Sequence, residues 1–109
     1  MLQKVTANHE VDRQGNPSGG VTVALGIHIN WQKGPLGRGP DRKKPNGAFV
    51  EGVIAAAVDR LQFYQRAKGG KYMCRENSLA ITRLEEALHW LEARTRDREA
   101  REVEGENEP

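Results

Sequence analysis

Residues 21–31 read VTVALGIHINW. Every odd position is apolar: Val21, Val23, Leu25, Ile27, Ile29 and Trp31. Successive side chains of a strand point to opposite faces, so alternation held over this length predicts one half-buried β-strand. Upstream, Val5, Ala7, His9 and Val11 alternate more weakly within LQKVTANHEV. The DRQGNPSGG segment between the two runs is rich in turn formers. Together they predict a β-hairpin whose odd-numbered side chains face a core.

Downstream the period changes. Residues 32–47, QKGPLGRGPDRKKPNG, carry four glycines and three prolines, which exclude helix and regular strand. This loop is basic, with Lys33, Arg38, Arg42, Lys43 and Lys44 against Asp41. Phe49, Val50, Val53, Ile54, Ala57, Val58, Leu61 and Tyr64 then follow helical spacing. They predict an amphipathic helix over 48–66, with Asn46 as its cap. AKGGK at 67–71 closes it with glycine in the usual terminating place. A second helix is expected from about residue 76 to 101, with Leu84, Leu88 and Leu91 as its apolar stripe, flanked by Ala80, Ala87 and Trp90. The acidic end EVEGENEP is expected to fray.

The expected fold class is therefore α+β: an N-terminal antiparallel β-hairpin or small sheet followed by a two-helix antiparallel hairpin. It is read as a single domain over 1–109, divided into a β part (1–32), a basic Gly/Pro loop (33–47), the helical hairpin (48–101) and the acidic tail (102–109). No internal repeat is present.

A chain of 109 residues supports one small core, and oligomerisation is a common way to add buried surface at that size. Seventeen basic against fifteen acidic residues leave a net charge of only +2, too mild to argue by itself for a nucleic-acid coat protein. The single cysteine, Cys74, has no intrachain disulfide partner and reads as a reduced thiol. The N-terminal MLQKVTANHE lacks a long apolar run, so neither a signal peptide nor an anchor is expected, and no window has the length of a membrane span.

Catalytic signatures are not evident. There is no HExxH or GxSxG, and GPLGRGP lacks the GK[ST] ending of a phosphate-binding loop. His9 and His28 fall on opposite parities of the expected strands, which argues against a shared metal, and His89 stands alone on the second helix. Glu85 and Glu86 are adjacent on a helix and do not converge. Neither enzyme, cofactor nor metal is expected.

The unusual feature is the end of residues 75–101, RENSLAITRLEEALHWLEARTRDREAR. Arg94, Arg98 and Arg101 share one helical face, and Arg83 lies three turns earlier on nearly the same face. Guanidinium forks suit phosphate, but arginines also belong in a last helical turn, where they complement the dipole. Phe63 and Tyr64 end the first helix; one of the pair is expected in the core, and the other is free to stack on a base. Asn77, near the start of the second helix, either caps it or reads a base edge.

The RENSLAITRLEEALHWLEARTRDREAR run, with FYQ before it, resembles the helical hairpin of the phage Thoeris anti-defence sponge proteins, to which the phage anti-CBASS sponges are related. The order HINWQKGP, loop, NGAFVEGVIAAAVDRL also fits that group. The resemblance implies a non-catalytic sponge in the host bacterial cytoplasm. Its ligands would be glyco-cyclic ADP-ribose isomers made by TIR-domain proteins and, in some members, cyclic di- or trinucleotides at separate sites. It implies a homodimer, or a hexamer built as a trimer of dimers, with no membrane or DNA partner. Carried onto this chain, it implicates Phe63 or Tyr64, Arg75 and Asn77 of the REN motif, and Arg94 and Arg98. A second phosphate site would draw on Lys33, Arg38, Lys43, Lys44, Ser78 and Thr82. The AKGGKYM connection, the loop and the REVEGENEP end depart from the family pattern.

Helix length constrains this assignment. Asn77 and Arg94 are 17 residues apart, about 25 Å at 1.5 Å per residue. One unbroken helix cannot bring both to one small ligand, whereas two antiparallel copies can, with two equal pockets. The alternative reading is a small basic nucleic-acid-binding protein that uses the arginine-rich helix.

Overall fold

The computed structural model describes residues 4–109. Leu2 and Gln3 of the first alternating run, and the very start of the segment read as lacking an anchor, lie outside them. The chain forms two compact units: the residues up to Phe49 together with Arg98–Pro109, and Val50–Asp97.

The first unit holds a three-stranded antiparallel sheet in the order β1 (Thr6–Val11), β2 (Pro17–Ala24), β3 (Ile27–Asn30). Asp12 closes the first turn. Its Oδ1 accepts the backbone N–H groups of Gln14 and Asn16, each at 2.9 Å. Hydrogen bonding from the Asn16 backbone, helped by the Asn16 side chain, Gln14 and Gly15, holds the Asp12 carboxyl below the ordinary range against desolvation. Gly20 then passes against β1 with φ +122°, where an added Cβ would lie 2.2 Å from the Asn8 carbonyl oxygen. Only glycine fits that approach.

The single strand expected over 21–31 is two strands. A tight turn at Leu25–Gly26 separates β2 from β3, and Gly26 adopts φ +76°. Pairing Val23 with His28 and Thr22 with Ile29 reverses the parity across that turn. Val21 and Val23 consequently share a face with His28 and Asn30, while Ile27 and Ile29 share the other with Thr22 and Ala24. The odd-numbered residues do not form one core face, and Leu25 is 87% exposed at the turn. His9, opposite Gly20, still lies on the face away from His28, although by this register rather than by the expected parity. Trp31 Nε1 donates to Thr22 Oγ1 at 2.7 Å, tying the end of β3 back to β2.

The basic loop is braced at both ends. Asn46 is not a helix cap. Its Oδ1 accepts the Lys33 N–H at 2.8 Å, and its own N–H donates to Gln32 Oε1 at 2.9 Å. Ala48, expected in the helix, instead forms a parallel bridge with Trp31. An added Cβ on Gly47 would fall 2.5 Å from the Trp31 carbonyl, so that bridge requires glycine beside it. A short 3-10 turn, Gly39–Asp41, lies mid-loop.

The second unit contains α1 (Val50–Arg66) and most of α2 (Arg75–Ala100). Lys68, Gly69 and Gly70 all adopt positive φ and end α1 as expected. Gln65 clasps the turn: its Oε1 accepts the Cys74 N–H at 3.1 Å, and its Nε2 donates to the Cys74 carbonyl at 3.2 Å and to Ser78 Oγ at 2.8 Å. The half-buried positions of α2 include Asn77, Ala80, Ile81, Leu84, Ala87, Leu88 and Leu91, a single stripe at helical spacing. Val58, 8% exposed, is the one buried apolar side chain among the described residues. No helix among them is long and apolar enough to cross a membrane.

Candidate functional site

Cys74, immediately before α2, caps it. Its Sγ accepts the Asn77 N–H at 3.4 Å. Asn77 is therefore the third residue of the helix and not its cap. Its side-chain amide has no hydrogen-bond partner among the described residues, and it sits at the start of the half-buried stripe. Arg75 is exposed in the same first turn.

Both Phe63 and Tyr64 are 40% exposed, so neither belongs to the core. Their ring centroids lie 6.0 Å apart with planes at 52°. Arg60 joins them. Its guanidinium carbon is 4.9 Å from each ring centroid, and its Nε donates to the Tyr64 hydroxyl at 3.2 Å. Arg66 approaches the Phe63 ring at 5.8 Å. These are cation–π distances. The cluster thus presents aromatic faces with positive charge beside them, a combination suited to a base and an attached phosphate. Arg60 was missed in the sequence, yet its spacing of three and four residues from the aromatics signals the contact.

The structure distinguishes the arginines along α2. Arg96, which helical spacing already places on a different face from Arg94 and Arg98, pairs with Glu92 at 3.4 Å, four residues back. Arg98 is held by its own tail, with Nη2 donating to the Val103 carbonyl at 3.3 Å and to the Glu106 carbonyl at 2.7 Å. Arg94 is exposed, and its guanidinium has no partner among the described residues. Arg83 pairs with Glu86 at 3.2 Å. The helix is unbroken from Arg75 to Ala100, so the separation of about 25 Å between Asn77 and Arg94 stands.

Of the residues read as a second phosphate site, Lys33, Arg38, Lys43 and Lys44 are exposed in the first unit, and Ser78 and Thr82 belong to the second. Ser78 Oγ donates to the Cys74 carbonyl at 3.3 Å and Thr82 Oγ1 to the Ser78 carbonyl at 3.0 Å, so both hydroxyls are engaged with their own helix. Among the described residues no three His, Cys, Asp or Glu side chains converge as metal ligands.

The family model described as Acb2/Tad1, hairpin domain matches residues 25–96, about two thirds of the chain. That span takes in Phe63, Tyr64, Arg75, Asn77 and Arg94 and stops before Arg98 and the tail. A protein of Bacillus phage SBSphiJ7 described as Thoeris anti-defense 1 is 45% identical over 80 residues, covering 73% of this chain and 51% of the relative. The chain therefore spans about half the length of that protein.

Proposed function

This chain belongs to the Acb2/Tad1 hairpin-domain family, and from that premise we propose that it is a phage anti-defence sponge acting in the host bacterial cytoplasm. It binds TIR-derived glyco-cyclic ADP-ribose and holds it without cleaving it, so that the host's Thoeris effector never receives the signal. The observation that carries this reading is a pair of polar groups far apart on one unbroken helix with no partner among the described residues, the Asn77 amide and the Arg94 guanidinium. An amide and a guanidinium offer a base edge and a phosphate their complementary contacts. The Arg60–Phe63–Tyr64 cluster supplies the stacking surface.

Because the helix holds those groups about 25 Å apart, each pocket takes Asn77 and the aromatics from one copy and Arg94 from another. A homodimer also fits the surface of α2. Trp90 is 72% exposed, and Leu79 lies three turns before it on the same face. A soluble monomer has little reason to leave that face open, whereas a second copy covers it. Cyclic di- and trinucleotides of CBASS systems are the second ligand class, taken up at the basic loop in a hexamer.

Native mass spectrometry with glyco-cyclic ADP-ribose tests the proposal. Two ligands per dimer, released chemically intact on heating, are expected. Altered nucleotide after heating indicates an enzyme, and no uptake removes the sponge reading. Polymer binding by the arginine helix is separated by salt: a duplex ligand would show affinity falling steeply with ionic strength, because counterion release scales with the phosphates contacted.

A further inference from the structure

The acidic end expected to fray is docked within the first unit. After α2, Glu102 adopts φ +60° and the Val103 N–H returns to the Arg98 carbonyl at 2.9 Å. Gly105 then meets the basic loop, its carbonyl accepting the Gly37 N–H at 2.7 Å. Beside it, Arg42 grips Glu104 through both guanidinium nitrogens, Nη2 to Oε1 at 2.9 Å and Nη1 to Oε2. Val103, Glu104 and Gly105 are half-buried as a result.

Two guanidinium groups hold the tail on either side of this carboxylate: Arg42 grips it directly, and Arg98 binds the flanking carbonyls of Val103 and Glu106. The Arg42 hydrogen bonds hold the Glu104 carboxyl below the ordinary range, against desolvation, and the fields of Arg42, Arg98 and Arg38 act in the same direction. Glu99 adds a weaker negative field on Arg42. Arg98 gives its Nη2 to two tail carbonyls, but its Nε lies out of solvent with no hydrogen-bond acceptor. A guanidinium presents five donors in a fixed fork, and a buried donor without an acceptor is costly. The cluster therefore has more donors and more positive charge than its carboxylate satisfies. A phosphate, with three acceptor oxygens and a larger charge, matches it better.

We propose that Arg42 and Arg98 form a phosphate-binding site and that Glu104 occupies it as a tethered competitor, so a phosphorylated ligand binds here by displacing the acidic tail. Arg42 lies within the span matched by the family model, whereas Arg98 and Glu104 lie beyond it. It rests on the sponge reading for the natural ligand alone, since any pyrophosphate-bearing molecule presents the same chemistry. Displacement frees the Gly37 N–H from Gly105 and releases residues 103–106 from Arg98. The apparent affinity is reduced by the fraction of molecules with the tail in place.

Full-length protein titrated with inorganic pyrophosphate, with calorimetry and amide exchange as readouts, tests this. Exposed carboxylate–guanidinium pairs are modest, so Glu104→Gln should tighten pyrophosphate binding roughly two- to fivefold. Gly105→Ala acts without touching a charge. Its Cβ would lie 2.3 Å from the Gly37 carbonyl oxygen, at φ +86°, so it also expels the tail and should tighten binding. Arg42→Ala added to Glu104→Gln should abolish the gain. In the wild-type chain, pyrophosphate should speed exchange of the Gly37 amide. Binding no tighter in either tail variant, or a Gly37 amide indifferent to pyrophosphate, would overturn the proposal. Arg94→Glu disables the pocket between copies and should leave the pyrophosphate response intact. If that variant loses the response, the anion sits at Arg94 and the tail site is refuted while the sponge reading stands.

Discussion

Complementation between two disabled chains puts the shared pocket at risk. Let one chain carry Asn77→Trp, which fills the base-edge position, and the other Arg94→Glu, which reverses the phosphate contact. Loss of a hydrogen bond to a charged group costs about 1.5–3 kcal/mol, so each variant alone should bind glyco-cyclic ADP-ribose roughly 10- to 150-fold more weakly. Unfolding and refolding an equal mixture gives about half mixed dimers by random pairing. Each mixed dimer has one pocket with Asn77 from the second chain and Arg94 from the first, both intact, and one pocket with both substitutions. About a quarter of all pockets are therefore restored. Calorimetric stoichiometry near one quarter of the wild-type value, at wild-type affinity, is the expected result. A site contained within one chain recovers nothing, because every chain in the mixture carries a lesion. Zero recovery, with mixed dimers visible by native mass spectrometry, refutes the reasoning from helix length.

Gly20→Ala should unravel the β1–β2 pair, because φ +122° and a carbonyl oxygen 2.2 Å from the new Cβ leave no room; a loss of at least about 1–3 kcal/mol is expected in a chemical melt. Val58→Ala should cost about 2 kcal/mol from the one buried apolar side chain among the described residues, whereas Trp90→Ala should leave monomer stability nearly unchanged and weaken dimerisation in sedimentation. Whichever of Phe63 and Tyr64 stacks on the base should lose about 1–3 kcal/mol of binding on replacement by alanine, while the other loses far less. The Glu104 carboxyl has a folded-state value below its ordinary one, so its contribution to tail docking is complete above the ordinary carboxylate range and is lost as pH falls through the depressed value. Exchange of the Gly37 amide should accelerate over that acidic window, and Glu104→Gln should remove the dependence.

Local patterning carried much of this protein. The change from period two to period 3.6 placed sheet before helices, and the glycines after Arg66 ended α1 where expected, because both signals depend on neighbours a few residues apart. The FYQ and REN motifs and the arginine spacing were also legible, and helix length alone separated Asn77 from Arg94. Tertiary structure decided what depends on distant partners. The turn at Leu25–Gly26 reversed the strand parity, because pairing of Val23 with His28 overrode an unbroken apolar alternation. Asn46 left its expected cap to brace Lys33, and Cys74 took the cap expected of Asn77. Among the arginines, periodicity made Arg94 and Arg98 equivalent. Only the fold, by bringing Glu104 to Arg42 across 62 residues of chain and laying tail carbonyls on Arg98, distinguished the guanidinium left open from the one already held.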